Sequence, residues 1–249
     1  MEQRTYYRDV LQRKGALSEK IASIINGICS YPRLLLEVFI RRNFGQRYFS
    51  MLHVWIVTLF CGSIPLLTGK LFFKRLHGMD DVIQHFWDWY LFLGLFLVFS
   101  FIRRSEIKSD PEVKDFSKYS LYEGDVANFF WNLGGRAWSP RQVETLLEPG
   151  AFFLIGLVLL FIGLPVGGLI LVSSVMYSFG YSIAYNQGDH YILDLIDQKL
   201  LNKALMQTFV EGEKDYKGFR FRGLRPVDEN LRQELIKEMV EEEEIVRVE

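Results

Sequence analysis

Three groups of residues in this 249-residue chain have types and spacings that could do chemistry. His77, Asp80, Asp81 and His85 lie close together, and Asp81 and His85 are four apart, so a helix would put them on one face, where they could bind a metal. Gly78 separates His77 from the rest, and nothing dictates third and fourth ligands, so ordinary capping and interface polarity are the preferred reading of the group. Asp189, His190, Asp194 and Asp197 form the second group, with Asp194 and Asp197 three apart. The bland reading is an N-cap followed by acids on the solvent face of a helix. In the third group Ser174, Ser178 and Ser182 repeat every four residues beside Tyr177, Tyr181 and Tyr185. Such a face suits close helix packing through small residues and hydroxyls, or a wetted pore lining.

None of these groups amounts to a catalytic constellation. Gly-rich phosphate loops, nucleophile elbows, paired CxxC motifs and HExxH are all absent. The sequence therefore predicts no catalytic residue, no metal site and no cofactor. The interior of the serine-rich arm carries no Asp, Glu, Lys or Arg, so the usual marker of an ion path is missing there as well.

The elements that must position these residues belong to a membrane protein. Hydrophobic residues make up 49% of the chain and charged ones 24%, ordinary averages that hide dense apolar blocks separated by charged stretches. A net charge of -1 excludes nucleic-acid binding driven by bulk charge, and 21 phenylalanines exclude whole-chain disorder. Cys29 and Cys61 are too few for a disulfide framework.

Met51–Phe73 is long enough to cross a hydrocarbon core of about 30 Å. Pro65 within it should kink the helix and free a carbonyl for a neighbour to satisfy. Phe86–Ile102 forms a second span, bracketed by the interface anchors Trp87, Trp89, Arg103 and Arg104. Gly150–Gln187 is too long for one crossing and folds back at the Gly163–Gly168 turn into two arms, Ala151–Ile162 and Leu169–Tyr185, the first of them short for a full span.

No signal peptide is predicted, and residues 1–50 carry nine Lys/Arg against four Asp/Glu, with Arg41 and Arg42 as anchors near the first span. Positive-inside reasoning puts both termini in the cytoplasm, although Lys70, Lys74 and Arg75 would then lie on the outer side.

The soluble parts read as helices. Ser18 caps a helix bearing Leu17, Ile21, Ile24, Ile25 and Ile28 that should end around Pro32, after which RLLLEVFIRRNFGQRYF suits either the cytoplasmic interface or the protein's own core. Residues 105–149 form a cytoplasmic insert ending in a capping box at Ser139, Pro140 and Gln142. The helix after Asp189 is apolar around more than half its circumference, Tyr216–Gly223 alternates like a short strand, and Leu231, Leu235 and Met239 line a final helix.

The expected architecture is thus an all-α polytopic protein with four hydrophobic transmembrane or re-entrant helices. Its regions are cytoplasmic helices (1–50), a first membrane hairpin (51–102), a cytoplasmic insert (103–149), a second hairpin (150–187) and a helical C-terminal region (188–249) with a short β-element. The functional expectation is a structural subunit of a secretion-, conjugation- or injection-type membrane assembly, docking protein partners through Leu193, Ile196, Leu200, Leu231, Leu235 and Met239. A homo-oligomeric pore or membrane-disrupting effector is the alternative, and a lipid-modifying membrane enzyme using Asp189, Asp194 and Asp197 is the third class. The lipid bilayer is a partner in each.

Overall fold

The computed structural model describes residues 16–72, 79–108, 120–212 and 214–245. They are mostly helical: α1 (Ala16–Ile40), α2 (Met51–Phe72), α3 (Met79–His85), α4 (Trp87–Lys108), α5 (Asn128–Trp131), α6 (Pro140–Gln142), α7 (Glu148–Phe161), α8 (Val166–Leu205) and α9 (Glu229–Ile245). Short π-turns cover Val143–Leu147 and Met206–Val210. Among the described residues three stretches are long and apolar enough to cross a membrane: Ile21–Ile40, Pro140–Phe161 and Val166–Val210. Met51–Leu67 is a shorter apolar stretch. The chain divides into two compact units, Ala22–Tyr185 and Met1–Ile21 with Asn186–Glu249. His77, Lys74 and Arg75 fall outside the described residues.

In the first unit α2 and α4 run antiparallel, with the Trp55 ring beside Phe101 at one end and Trp89 beside Cys61 at the other. Pro65 has no N–H to offer the carbonyl of Cys61 four residues earlier, and the Trp89 indole donates to that carbonyl at 3.0 Å. The freed acceptor thus finds a donor on the neighbouring helix, and Trp89 is buried between helices where a membrane-interface anchor was expected. Arg103 differs in the same way. It is buried, and its Nε donates at 3.1 Å to the carbonyl of Val38, one of the acceptors left open in the last turn of α1. Trp87 and Arg42 are exposed and Arg104 partly so.

Two boundaries depart from the sequence reading. α1 runs on through Pro32 to Ile40, because a proline removes one intrahelical bond while the residues after it gain burial on every side: Leu34, Leu35, Leu36 and Val38 are all core. Of the two settings considered for this stretch, it occupies the protein's own core. The first arm of the second hairpin is longer than expected. The capping box at Ser139 and Gln142 starts a helix that continues through the Val143–Leu147 π-turn into α7, giving 22 residues, Pro140–Phe161, in place of the short arm.

α7 and α8 meet through glycines. A Cβ on Gly167 would stand 2.6 Å from the Gly156 carbonyl oxygen and 2.7 Å from the Leu160 nitrogen, so only hydrogen fits. At the mouth of this hairpin the buried carboxylate of Asp88, from the first turn of α4, accepts the Val166 N–H at 2.9 Å and so caps α8 from another helix.

In the second unit, the end of α8, the adjoining π-turn and α9 enclose Leu205, Phe209, Phe219 and Ile236. The expected strand at Tyr216–Gly223 is a tight turn. Lys217 and Gly218 both have positive φ (50° and 83°), and Tyr216 and Phe219 exchange two backbone hydrogen bonds across them. The alternation of YKGFRFRG reflects the aromatic packing of Phe219 and Phe221 around this turn, and the β-element reduces to one isolated bridge.

Gly167→Ala should lower stability by about 1–3 kcal/mol through overpacking, whereas Gly168→Ala, whose Cβ meets nothing nearer than 4.0 Å, should be close to neutral. Thermal unfolding of the two variants in detergent checks this.

Candidate functional site: a buried Arg–Glu–Tyr network

Arg33 and Glu37 on α1 and Arg41, just past its end with its N–H still bonded to the Glu37 carbonyl, follow one another at four-residue steps and so share a face. All three are buried, an arrangement that requires partners for every charge. Three elements provide them.

The first is α8. Tyr177, Tyr181 and Tyr185, also at four-residue steps, each donate to a different carboxylate: Tyr177 to Glu148 at 2.6 Å, Tyr181 to Glu37 at 2.9 Å and Tyr185 to Glu144 at 2.6 Å. Tyr181 is the hub. Its hydroxyl also accepts from Arg41 Nη1 at 2.6 Å, and its ring lies between two guanidinium groups, Arg33 at 4.5 Å and Arg41 at 4.8 Å.

The second is the helical run that leads into α7. Arg41 binds Glu148 through Nε, at 3.2 Å to Oε2, and through Nη2, and binds Glu144 through Nη2 at 3.2 Å. The π-turn Val143–Leu147 ends with the Glu148 N–H bonded to the Val143 carbonyl, and this widened turn presents both acids to one arginine. Pro149 then has no N–H for the Thr145 carbonyl, and Ser178 Oγ donates to it at 2.6 Å while Ser174 Oγ donates to the Pro149 carbonyl. Ser182 bonds back to Ser178 on its own helix and remains exposed.

The third is a pair of loops. Gly45 lies so close to the 120–122 backbone that a Cβ would stand 2.3 Å from the Ser120 oxygen, and its N–H donates to Tyr122 O at 2.8 Å. The clasp delivers Tyr48, which accepts from Arg33 and donates to Glu37 at 2.7 Å, and Glu123, whose carboxylate lies 3.6 Å from Arg33.

The direction of α1 follows from these contacts. Cys29 packs against the Gly180 position of α8, and twelve residues later, about 18 Å along the helix, Arg41 still reaches Tyr177 and Tyr181. α1 therefore crosses α8 rather than running beside it.

Burial, and the charge of Glu37, raise the Glu123 carboxyl above its ordinary range even though Arg33 pulls it the other way. The Tyr48 phenol is held well above its ordinary value by burial and Glu37.

Ser174, Ser178, Ser182, Tyr177, Tyr181 and Tyr185 share one face, as their spacing predicts, and all but Ser182 use their hydroxyls on α1 or on the Glu144–Pro149 stretch. Arg41 is not the interface anchor that its place near the first span suggests. It is wholly buried at the centre of the network. Glu37, Glu144 and Glu148 had gone unremarked, although charges at four-residue steps inside an apolar stretch are the signal for them. Leu193, Ile196, Leu200 and Leu231 are exposed, Leu235 packs on the second unit's core, and the Met239 side chain lies outside the described residues. Among the described residues no three His, Cys, Asp or Glu converge as metal ligands, which includes Asp189, His190, Asp194 and Asp197.

Arg41→Ala leaves two carboxylates without their cation and should cost about 3–5 kcal/mol, while the neutral pair Arg41→Met with Glu148→Leu should recover most of that loss. Unfolding of the single and double variants measures both. Because the folded pKa of Glu123 lies above its unfolded value, the stability it contributes is present at low pH and lost as pH rises through the folded value. Glu123→Gln should therefore be more stable than the parent at neutral pH, and the difference should close on acidification, as thermal melts across pH would record.

Comparison with known proteins finds no matching family model, no similar curated protein and no similar solved structure, so a functional reading has to come from the network and the exposed faces themselves.

Proposed function

We propose that this is a polytopic membrane protein acting as a structural subunit of a multiprotein membrane assembly of the secretion, conjugation or injection kind. In this reading α2, α4, the helix Pro140–Phe161 and the first half of α8 cross the bilayer. α1, which lies across α8, does not, so both termini are cytoplasmic. α8 extends about 60 Å in all, roughly twice the hydrocarbon thickness, so one crossing does not use its second half, after Tyr185.

The observation that carries the docking role is on that second half. Leu193, Ile196 and Leu200 follow a helical stripe and are 53%, 48% and 56% exposed, flanked by Asp194, Asp197, Lys199 and Lys203. Such a stripe suits the apolar face of a partner subunit. The network supports the same reading from the other side. The polar groups of the Ser/Tyr face are spent on neighbouring helices, which suits a rigid anchor better than a wetted lining or a reactive centre.

Ile196→Glu together with Leu200→Glu should release co-purifying subunits while leaving the protein folded in the membrane. Native mass spectrometry of gently extracted complexes measures this. A heteromer of fixed stoichiometry that the double variant loses agrees with the proposal. A closed homo-oligomer without other subunits would replace it with the pore reading.

A further inference from the structure

Asn128–Gln142 contains Phe129, Phe130, Trp131 and Trp138, two arginines and no acid. α5 packs against the π-turn Val143–Leu147, placing this segment at the start of the helix that becomes α7. Its conformation is fixed. Trp138 Nε1 donates to the Leu133 carbonyl at 2.9 Å, its N–H bonds Trp131 O, and the Arg136 guanidinium lies 5.2 Å from the Trp138 ring. Yet it displays apolar surface: Phe129 is 70% exposed and Leu146, on the adjoining turn, 61%.

Composition changes along the helix in one direction. The arginines and tryptophans stop at Arg141, and Ala151–Phe161 is wholly aliphatic, aromatic or glycine, with Leu154, Val158 and Phe161 facing outward. From Leu146 to Phe161 is about 22 Å of helix against a hydrocarbon core of about 30 Å, and the chain turns back just after Phe161. A helix so placed puts Leu146 near the boundary of the core, with Phe129 beside it. Aromatic rings and arginines at that depth match the headgroup layer, and the excess of positive charge matches anionic phosphates.

We propose that residues 128–147 form a membrane-interface platform, with Phe129 and Leu146 seated in the acyl boundary of one leaflet and Arg136 on the phosphates of anionic lipids. This rests on the membrane reading above, and it moves part of the expected cytoplasmic insert into the bilayer surface.

The test uses the full chain in lipid nanodiscs, with an environment-sensitive fluorophore attached at Phe129→Cys, at Leu146→Cys or, as the membrane control, at Leu154→Cys. Cys29 and Cys61 are buried, and unsubstituted protein labelled in parallel gives the background. Quenching is read from lipids carrying a nitroxide near the headgroup or near the chain end. The platform predicts loss of fluorescence at 129 and 146 with the shallow nitroxide, and at 154 with the deep one. With anionic phosphatidylglycerol in the disc, Arg136→Glu should reduce shallow quenching at 129, and with phosphatidylcholine alone it should not. Quenching at 154 but at neither 129 nor 146 overturns the platform and leaves the membrane reading standing. No quenching at any of the three overturns both. Equal quenching with and without Arg136 in anionic discs overturns the phosphate contact.

Discussion

A guanidinium with no exposure to water, set among apolar helices, is the constraint on which the first unit depends. Arg41 cannot shed its charge, so the fold has to bring carboxylates to it. Glu148 and Glu144 come from the helix entering α7, Glu37 from the turn before it on α1, and Tyr181 from α8. Removing any one of those elements would leave a buried charge or a buried lone pair without its partner. α1, α7 and α8 are therefore fixed in register with one another, by a network whose worth lies more in specifying one arrangement than in net stability.

The same accounting governs the helix prolines. Pro65 and Pro149 each leave a carbonyl four residues back without its N–H, and in each case a side chain from the facing helix answers: Trp89 for Cys61, Ser178 for Thr145. A proline that would be a defect in an isolated helix becomes a point of attachment between two. Asp88 capping α8 and Arg103 bonding the last turn of α1 extend this to helix ends. Much of the polar chemistry buried in this unit is backbone satisfaction carried from one helix to another.

How much of this was legible in the sequence depended on whether a residue's role was local. The apolar blocks, the turn at Gly163, the capping box at Ser139 and the freed carbonyl of Pro65 follow from composition and spacing over a few residues, and they could be read. The Ser/Tyr face was visible as a face, but its partners were not, because the glutamates that receive it lie 29 to 144 residues away in the chain. Arg41, Arg103 and Trp89 misled for a related reason. Positive and aromatic residues flanking an apolar block have two good environments, the lipid headgroups and a carbonyl or carboxylate on another helix, and only the tertiary contact distinguishes them. Pro32 misled differently, since burial of the residues after it outweighed one lost hydrogen bond.

The spacing of the tyrosines also restrains α8 along its own axis. Tyr177, Tyr181 and Tyr185, at four-residue steps on α8, bond Glu148, Glu37 and Glu144 from two other elements, so a slide of α8 by part of a turn would misalign all three pairs at once. The cost of such a slide is shared by all the pairs, and the crossing behaves as a single rigid joint.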